Sequence, residues 1–202
     1  MPIVPSVIST SATTRALSKG IFGKDMNRIA SAVASASVQY ILATAFVTSV
    51  NNVVGPGAGI STGRLINLSP KAMSGLMNTK ALTKLMAGRD IRKFFDAISF
   101  GVVTGLRTAI SQGAVIGGAP GTGIGNIVGL VSSGLQGLIV VNFLSKLMAG
   151  RDASRLASAI AFGITFHLTS TVKVSLTNIG AFAPPPAGPV PIPTAPGTGK
   201  LI

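Results

Sequence analysis

The chain has 202 residues, of which 47% are hydrophobic and only 10% are charged, and its net charge is +13. Soluble domains usually carry about 25% charged residues, so this composition excludes a free-standing globule covered with charge and favours a surface that faces lipid or other subunits. The chain contains no cysteine, which excludes a disulfide framework, and four aspartates with one histidine argue against a zinc site. The positive charge predicts an anionic partner: nucleic acid, a phospholipid headgroup surface or acidic subunits.

The N-terminal segment, residues 1–14, contains two prolines and several serines and threonines. We expect it to form an extended arm, because prolines interrupt regular structure. It has no basic stretch followed by an apolar one, so it does not resemble a signal peptide, and we expect synthesis in the host cytoplasm.

A short segment recurs three times, over residues 15–25, 80–90 and 142–152, and each copy ends in glycine, a basic residue and aspartate. We interpret each copy as a helix, a tight corner and the start of a second helix. The glycine is expected to end the first helix and the aspartate to cap the second. These corner residues are Gly23, Asp25, Gly88, Asp90, Gly150 and Asp152. Since three of the four acids occupy equivalent positions in a repeat, they argue against an active site.

The segments after the corners are apolar and rich in small residues, and we expect helices over 27–50, 91–111 and 153–174. Glycine- and proline-rich turns are expected at 54–59 and 117–123, followed by returning helices over 70–86 and 127–148. The predicted fold is therefore all-α: one helical domain, residues 15–183, built from three repeated helical hairpins with extended Pro/Gly-rich termini. The predicted repeats are 15–79, 80–141 and 142–183.

The basic residues gather at the corners, and parallel packing of the repeats would align them into a basic rim. The residues that we expect to contact an anionic partner are Lys19, Lys24, Arg28, Lys84, Arg89, Arg92, Lys93, Lys146, Arg151 and Arg155. The partner would be DNA or phospholipid headgroups; the alternative interpretation is a solvated face that keeps an apolar protein in solution. Few aromatic residues are interleaved, which argues against sequence-specific or single-strand recognition.

Other polar features have simpler interpretations. Residues 118–123 and 195–200 imitate a phosphate-binding loop, but neither combines the lysine, the hydroxyl residue and the following helix that such a site needs. We expect His167 to be a hydrogen-bonded packing residue, and Asp96 to pair with Arg92 and Lys93 at helical spacing. The sequence thus predicts no catalytic residue, no cofactor, no metal ligand and no small-molecule substrate, and we expect no enzyme activity.

The C-terminal segment, residues 184–202, is rich in proline and glycine, and we expect an extended strap that binds a partner. With this tail and its small, basic, cysteine-free character, the chain resembles minor structural proteins of tailed-bacteriophage virions. That resemblance implies a non-enzymatic component of a tail, baseplate, neck or capsid. Its partners would be copies of itself and other structural subunits, and its location the virion.

Two other functional classes remain open. Residues 29–50 and 108–145 are uncharged, and the basic corners would all lie on one side of a bilayer, so an integral membrane or pore-forming protein is the first alternative. Ser, Thr, Gly, Asn and Gln within these segments weaken it. The second alternative is a DNA-contacting channel or packaging protein, in which the corners would bind the phosphate backbone.

Overall fold

The computed structural model describes residues 4–54, 58–116, 122–148, 150–170, 172–178 and 194–202. Within these residues the chain forms six helices and six strands. The helices are α1 (Pro5–Ser18), α2 (Lys24–Thr44), α3 (Pro70–Leu82), α4 (Arg89–Thr108), α5 (Ser132–Ser145) and α6 (Arg151–Ser170). The strands are β1 (Phe46–Val54), β2 (Ala58–Ile66), β3 (Ile110–Ile116), β4 (Thr122–Val128), β5 (Lys173–Asn178) and β6 (Thr194–Leu201).

The prediction of an all-α fold is wrong, because the six strands form a closed antiparallel barrel. The helices that were expected to reach residues 50, 111 and 174 end at Thr44, Thr108 and Ser170, and a strand follows each of them almost at once. In β1, for example, Val47 and Ser49 are buried whereas Phe46 and Thr48 are exposed. This period of two is the signature of a strand with one buried face.

Each strand of the barrel pairs with the next strand along the chain, and β6 closes the barrel against β1. The pairing of β1 with β2 runs from Phe46 opposite Ile66 to Val54 opposite Ala58. β6 also pairs with β5, where Val174 lies opposite Leu201. Full closure leaves no free sheet edge for pairing with another chain.

The interior of the barrel is filled by side chains and closely packed backbone. Buried apolar residues of five strands meet there, namely Val47, Leu65, Ile127, Val174, Leu176 and Leu201. Glycine recurs at one interior position of β2, β4 and β6. A Cβ atom added at Gly63 would lie 2.6 Å from the Thr48 carbonyl oxygen, and one at Gly199 would lie 2.6 Å from the Ser175 carbonyl oxygen. A barrel of six strands is narrow enough for this packing to leave no passage through the described interior.

The six helices form a closed ring at one end of the barrel, and neighbouring helices are antiparallel. Each helix packs against the next along the chain, and α6 completes the ring by packing against α1. The core inside the ring is apolar, with fully buried side chains that include Ile41, Phe95, Ile98, Phe143 and Ile160. In α4, Gly101 and Gly105 both face α5, lying close to Ile139 and Leu135, so the small-residue pattern marks tight helix packing.

The structure repeats one unit three times: strand, helix, corner, helix, strand. The second unit runs from β2 to β3 and the third from β4 to β5. The first unit is assembled from both ends of the chain, because its leading strand is β6 and its other elements are α1, α2 and β1.

Both terminal predictions require correction. The expected extended arm, 1–14, is mostly helix, since α1 begins at Pro5, where proline is favourable in the first helical turn. The expected C-terminal strap, 184–202, contributes β6 to the barrel instead. Residues 184–193 of that prediction lie outside the described residues, as do most of the turn predicted at 117–123 and part of the turn at 54–59.

Candidate functional site

The three corners, residues 19–25, 84–90 and 146–152, lie at the end of the helix ring opposite the barrel. The topology requires this arrangement, because α2, α4 and α6 each run from a corner to a barrel strand. We call this end of the molecule the corner face. It gathers in one place most of the residues that the sequence analysis assigned to an anionic partner.

The second residue of each corner adopts the left-handed conformation, at equivalent positions in the three repeats. These residues are Gly20, Leu85 and Leu147, with φ of 77°, 59° and 61°. The next residue closes the helix end: the Ile21 amide donates to the Ala16 carbonyl at 3.0 Å, and its equivalents do the same in the other corners. This hydrogen bond is typical of a Schellman-type helix end, where glycine is normally preferred.

The glycines that precede the basic residue start the second helix and do not end the first. Gly23 and Gly88 are the N-cap residues of α2 and α4, with φ of 115° and 133° and ψ of 168° and 166°. Gly150 has φ of 136°. Because this region of backbone space is nearly restricted to glycine, the corner needs glycine at this position.

The prediction that the aspartates cap the helices is wrong, since the N-cap positions belong to glycine. Asp25, Asp90 and Asp152 lie instead in the first turn of α2, α4 and α6, where the positive end of the helix dipole stabilises a carboxylate. Each is exposed and pairs with the basic residue three positions later. The ion pairs join Arg28 to Asp25 at 3.4 Å, Lys93 to Asp90 at 3.8 Å and Arg155 to Asp152 at 3.5 Å.

The remaining cations of the corner face lie at or near the helix ends, and Arg92 is an exposed residue in the first turn of α4. Lys24, Arg89 and Arg151 are the first residues of α2, α4 and α6, and all three are exposed. Lys19, Lys84 and Lys146 follow the last turns of α1, α3 and α5 and are half-buried. Cations at helix C-termini are favourable, but cations at helix N-termini are not, so Lys24, Arg89 and Arg151 do not stabilise their helices through the dipole.

Exposed apolar side chains accompany these cations, and the sequence analysis did not single them out. Leu85 and Leu147 are 86% and 92% exposed, and Phe22 is 74% exposed. One helical turn earlier in each copy, an exposed leucine recurs at Leu17, Leu82 and Leu144. For Leu85 and Leu147 the signal that could have found them is Gly20, which takes their place in the first copy, since a core position keeps an apolar side chain in every copy.

An apolar recess opens on the corner face between the repeats. It is lined by Ile21 of the first repeat, Phe94 of the second, and Phe143, Met148 and Leu156 of the third. The rings of Phe94 and Phe143 stack with centroids 5.2 Å apart. The corner face therefore has an apolar recess as well as its exposed leucines.

Asp96 does not form the predicted pair with Arg92 and Lys93. Its carboxylate lies 3.8 Å from Lys146 and accepts a hydrogen bond from the Ser74 hydroxyl. These contacts connect α3, α4 and α5. The interpretation as a structural ion pair holds, but the partner comes from a neighbouring helix, which helical spacing within α4 could not reveal.

His167 is a packing residue, as the sequence analysis expected. It is buried, and its Nε2 accepts a hydrogen bond from the Val4 amide at 2.9 Å. Burial lowers the pKa of its imidazole. Tyr40 occupies the equivalent position of the first repeat, and its hydroxyl accepts from the Ser69 amide. Since Val4 and Ser69 precede α1 and α3, both side chains fix the start of the next helix in the ring.

The outer face of the barrel is a second candidate surface. Ile60, Ala114 and Ile124 lie opposite one another on β2, β3 and β4 and form a continuous exposed row, which we call the barrel row. Ile60 is 58% and Ile124 is 63% exposed. Among the described side chains of this outer face, the charged residues are Arg64, Lys173 and Lys200, so it is largely uncharged.

The described residues bring together no cluster of three or more His, Cys, Asp or Glu side chains that could hold a metal ion. Residues 194–200, which imitate part of a phosphate-binding loop, belong to β6 rather than to a loop before a helix. None of the helices described is long and apolar enough to cross a membrane. The first uncharged segment, 29–50, is divided between α2 and β1.

Comparison of the chain with models of protein families, with curated proteins and with solved structures found no match.

Proposed function

We propose that this protein is a non-enzymatic structural subunit of a larger assembly and that its copies associate through the outer face of the barrel. The observation that carries the proposal is the barrel row, in which exposed isoleucines lie side by side on adjacent strands. Contiguous apolar patches are rare on monomeric proteins and are typical of interaction surfaces. Because the closed barrel has no free edge, association would occur through side-chain packing and not through strand addition.

The proposed setting is a tailed-phage virion, in which the chain would contribute to a tail, baseplate, neck or capsid. The support is the small, basic, cysteine-free and weakly charged sequence. The Pro-rich strap is no longer part of this argument, since residues 194–201 lie in the barrel. Immunogold labelling of purified particles tests the setting: labelled virions are expected, and particles without label would contradict it.

The assembly proposal is tested by sedimentation of the full chain over a range of concentrations. We expect the wild type to form oligomers and the Ile60→Thr/Ile124→Thr double variant to be mainly monomeric. Threonine keeps the β-branched shape that strands prefer but removes apolar surface. The control is Leu85→Gly/Leu147→Gly on the corner face, which should associate like the wild type. A monomeric wild type, or unchanged association of the double threonine variant, would contradict the proposal.

The part of the barrel interior that the structure describes is packed and leaves no passage for DNA within a single chain, so we do not propose a channel. The corner face retains the charge that an anionic partner would require.

A further inference from the structure

The corner face combines positive charge with apolar side chains at the points that extend furthest from the ring. Leu85 and Leu147 occupy the left-handed position of their corners, where glycine would be the less strained residue. Both side chains are almost completely exposed. At these two positions leucine therefore combines a strained backbone with a solvent-exposed side chain. Neither leucine contributes to folding stability.

When the ion pairs within the corner face are set aside, the charges that remain there are positive. Asp25, Asp90 and Asp152 are each paired with a cation on the same helix. Lys24, Arg89 and Arg151 form no ion pair among the described residues and stand at the exposed helix starts. The surface therefore offers unpaired cations to a partner with several negative charges.

The corner face is a broad end that has three equivalent corners and an apolar recess. Ile21, Phe94 and Met148 bring all three repeats to this recess. A partner that binds both the cations and the apolar side chains of this broad end must itself be broad. It must carry negative charge at its surface and be apolar just below. A phospholipid bilayer has this profile.

We propose that the corner face binds the surface of an anionic phospholipid bilayer. Leu85, Leu147 and Phe22 enter the boundary between headgroups and acyl chains, while Lys24, Arg89 and Arg151 contact lipid phosphates. The attachment is peripheral and reversible, because a few apolar side chains and cations together give modest affinity. Nucleic acid fits less well, since exposed leucines gain nothing from a phosphate backbone and base binding relies on aromatic stacking. This inference is independent of the proposed assembly function.

The experiment is flotation of the full-length protein with vesicles of equal parts phosphatidylglycerol and phosphatidylcholine, compared with vesicles of phosphatidylcholine alone. We expect binding to the anionic vesicles and little to the neutral ones, and the binding should weaken as salt is added. No binding to anionic vesicles at low salt, or equal binding to both kinds, would overturn the proposal.

Two double variants separate the apolar and the charged contributions. Leu85→Gly/Leu147→Gly should reduce binding about tenfold or more, because two leucines no longer leave water. This variant relieves backbone strain, so a loss of binding cannot be attributed to unfolding. Arg89→Gln/Arg151→Gln should reduce binding about thirtyfold at low salt, since two cations near an anionic bilayer contribute roughly 1 kcal/mol each.

The matched controls lie on the barrel. Lys173→Gln/Lys200→Gln removes the same charge far from the corner face and should leave vesicle binding within about twofold of the wild type. Ile60→Thr/Ile124→Thr should bind vesicles like the wild type while losing self-association, so the two proposals can fail separately.

Competition identifies the other classes of partner. Duplex DNA or soluble polyglutamate should displace the protein from vesicles only weakly. If either binds as tightly as the vesicles do and with the same dependence on Leu85 and Leu147, the partner is a nucleic acid or an acidic protein and the lipid proposal is wrong. Equal binding of the wild type and Leu85→Gly/Leu147→Gly to anionic vesicles would also overturn the lipid proposal.

Discussion

At the scale of single residues, the three corners offer an internal comparison of glycine and leucine at one backbone position. Gly20, Leu85 and Leu147 have similar positive φ angles, yet only the first is free of the steric cost that a side chain brings there. We expect Leu85→Gly or Leu147→Gly to raise the free energy of unfolding by about 1 kcal/mol each, or about 2–4 °C in Tm. Thermal unfolding measures this change in stability. The reverse substitution, Gly20→Leu, should lower the Tm by a similar amount. A lower Tm for the glycine variants would show that the leucines pack against something in the folded protein.

The buried histidine makes stability depend on pH. Burial places the pKa of His167 in the folded chain below its ordinary value near 6.5, so the unfolded chain binds the proton first as the pH falls. Stability should therefore be constant above pH 6.5 and decrease below it, by at most about 1.4 kcal/mol per pH unit. Protonation also removes the acceptor for the Val4 amide.

Urea unfolding between about pH 7.5 and pH 5 measures this effect. The control is His167→Gln, whose side-chain oxygen can accept the same hydrogen bond without titrating. We expect this variant to lose the pH dependence in that range. If wild type and variant showed the same slope, another group would be responsible.

At the scale of elements, the glycines inside the barrel set how closely neighbouring strands approach. Gly63→Ala would place a Cβ 2.6 Å from the Thr48 carbonyl oxygen, a backbone atom that cannot move independently. We expect a loss of at least about 2 kcal/mol, as for other overpacked sites. The control is Gly137→Ala on the exposed face of α5, where nothing lies within 4 Å; it should gain about 0.5–1 kcal/mol from helix propensity. Equal effects in chemical denaturation would contradict the packed interior.

The corners could be predicted from sequence because they are local. Glycine, a basic residue and aspartate within a short repeat determine where one helix ends and the next begins, and the structure places α2, α4 and α6 within three residues of each expected start. The cap itself was misassigned, since glycine and aspartate are both found at helix starts and only the backbone angles distinguish their roles.

The strands could not be separated from the helices by the same reasoning. Residues 29–50 are an uncharged run rich in small and β-branched residues, and such a run fits a buried helix or a strand equally well. What distinguishes them is the pairing of Phe46 with both Ile66 and Lys200, which lie far along the chain. Because non-local strand pairing has little effect on the local residue pattern, the sequence predicted neither the barrel nor its exposed isoleucines.

At the scale of the whole molecule, β6 joins the two ends of the fold. It pairs with β1 and β5, and the amide and carbonyl of Ile202 bond to those of Lys173. Deletion of residues 194–202 would expose the edges of both neighbouring strands and open the interior to water. We expect a large drop in Tm and aggregation, seen by light scattering during heating. A truncated chain that unfolded as cooperatively as the full chain would show that the barrel does not depend on closure.

That closure also governs the order in which the protein can fold during synthesis. The first helical hairpin and β1 leave the ribosome before the other described elements, but β6, the strand that completes their unit, follows all of them in the chain. Until then β1 has one open edge, and the growing chain is a partly formed barrel whose apolar interior is accessible. We therefore expect nascent chains to require chaperone protection until β6 has been translated. Messages cut short before β6 would yield degraded protein and not a partly closed barrel.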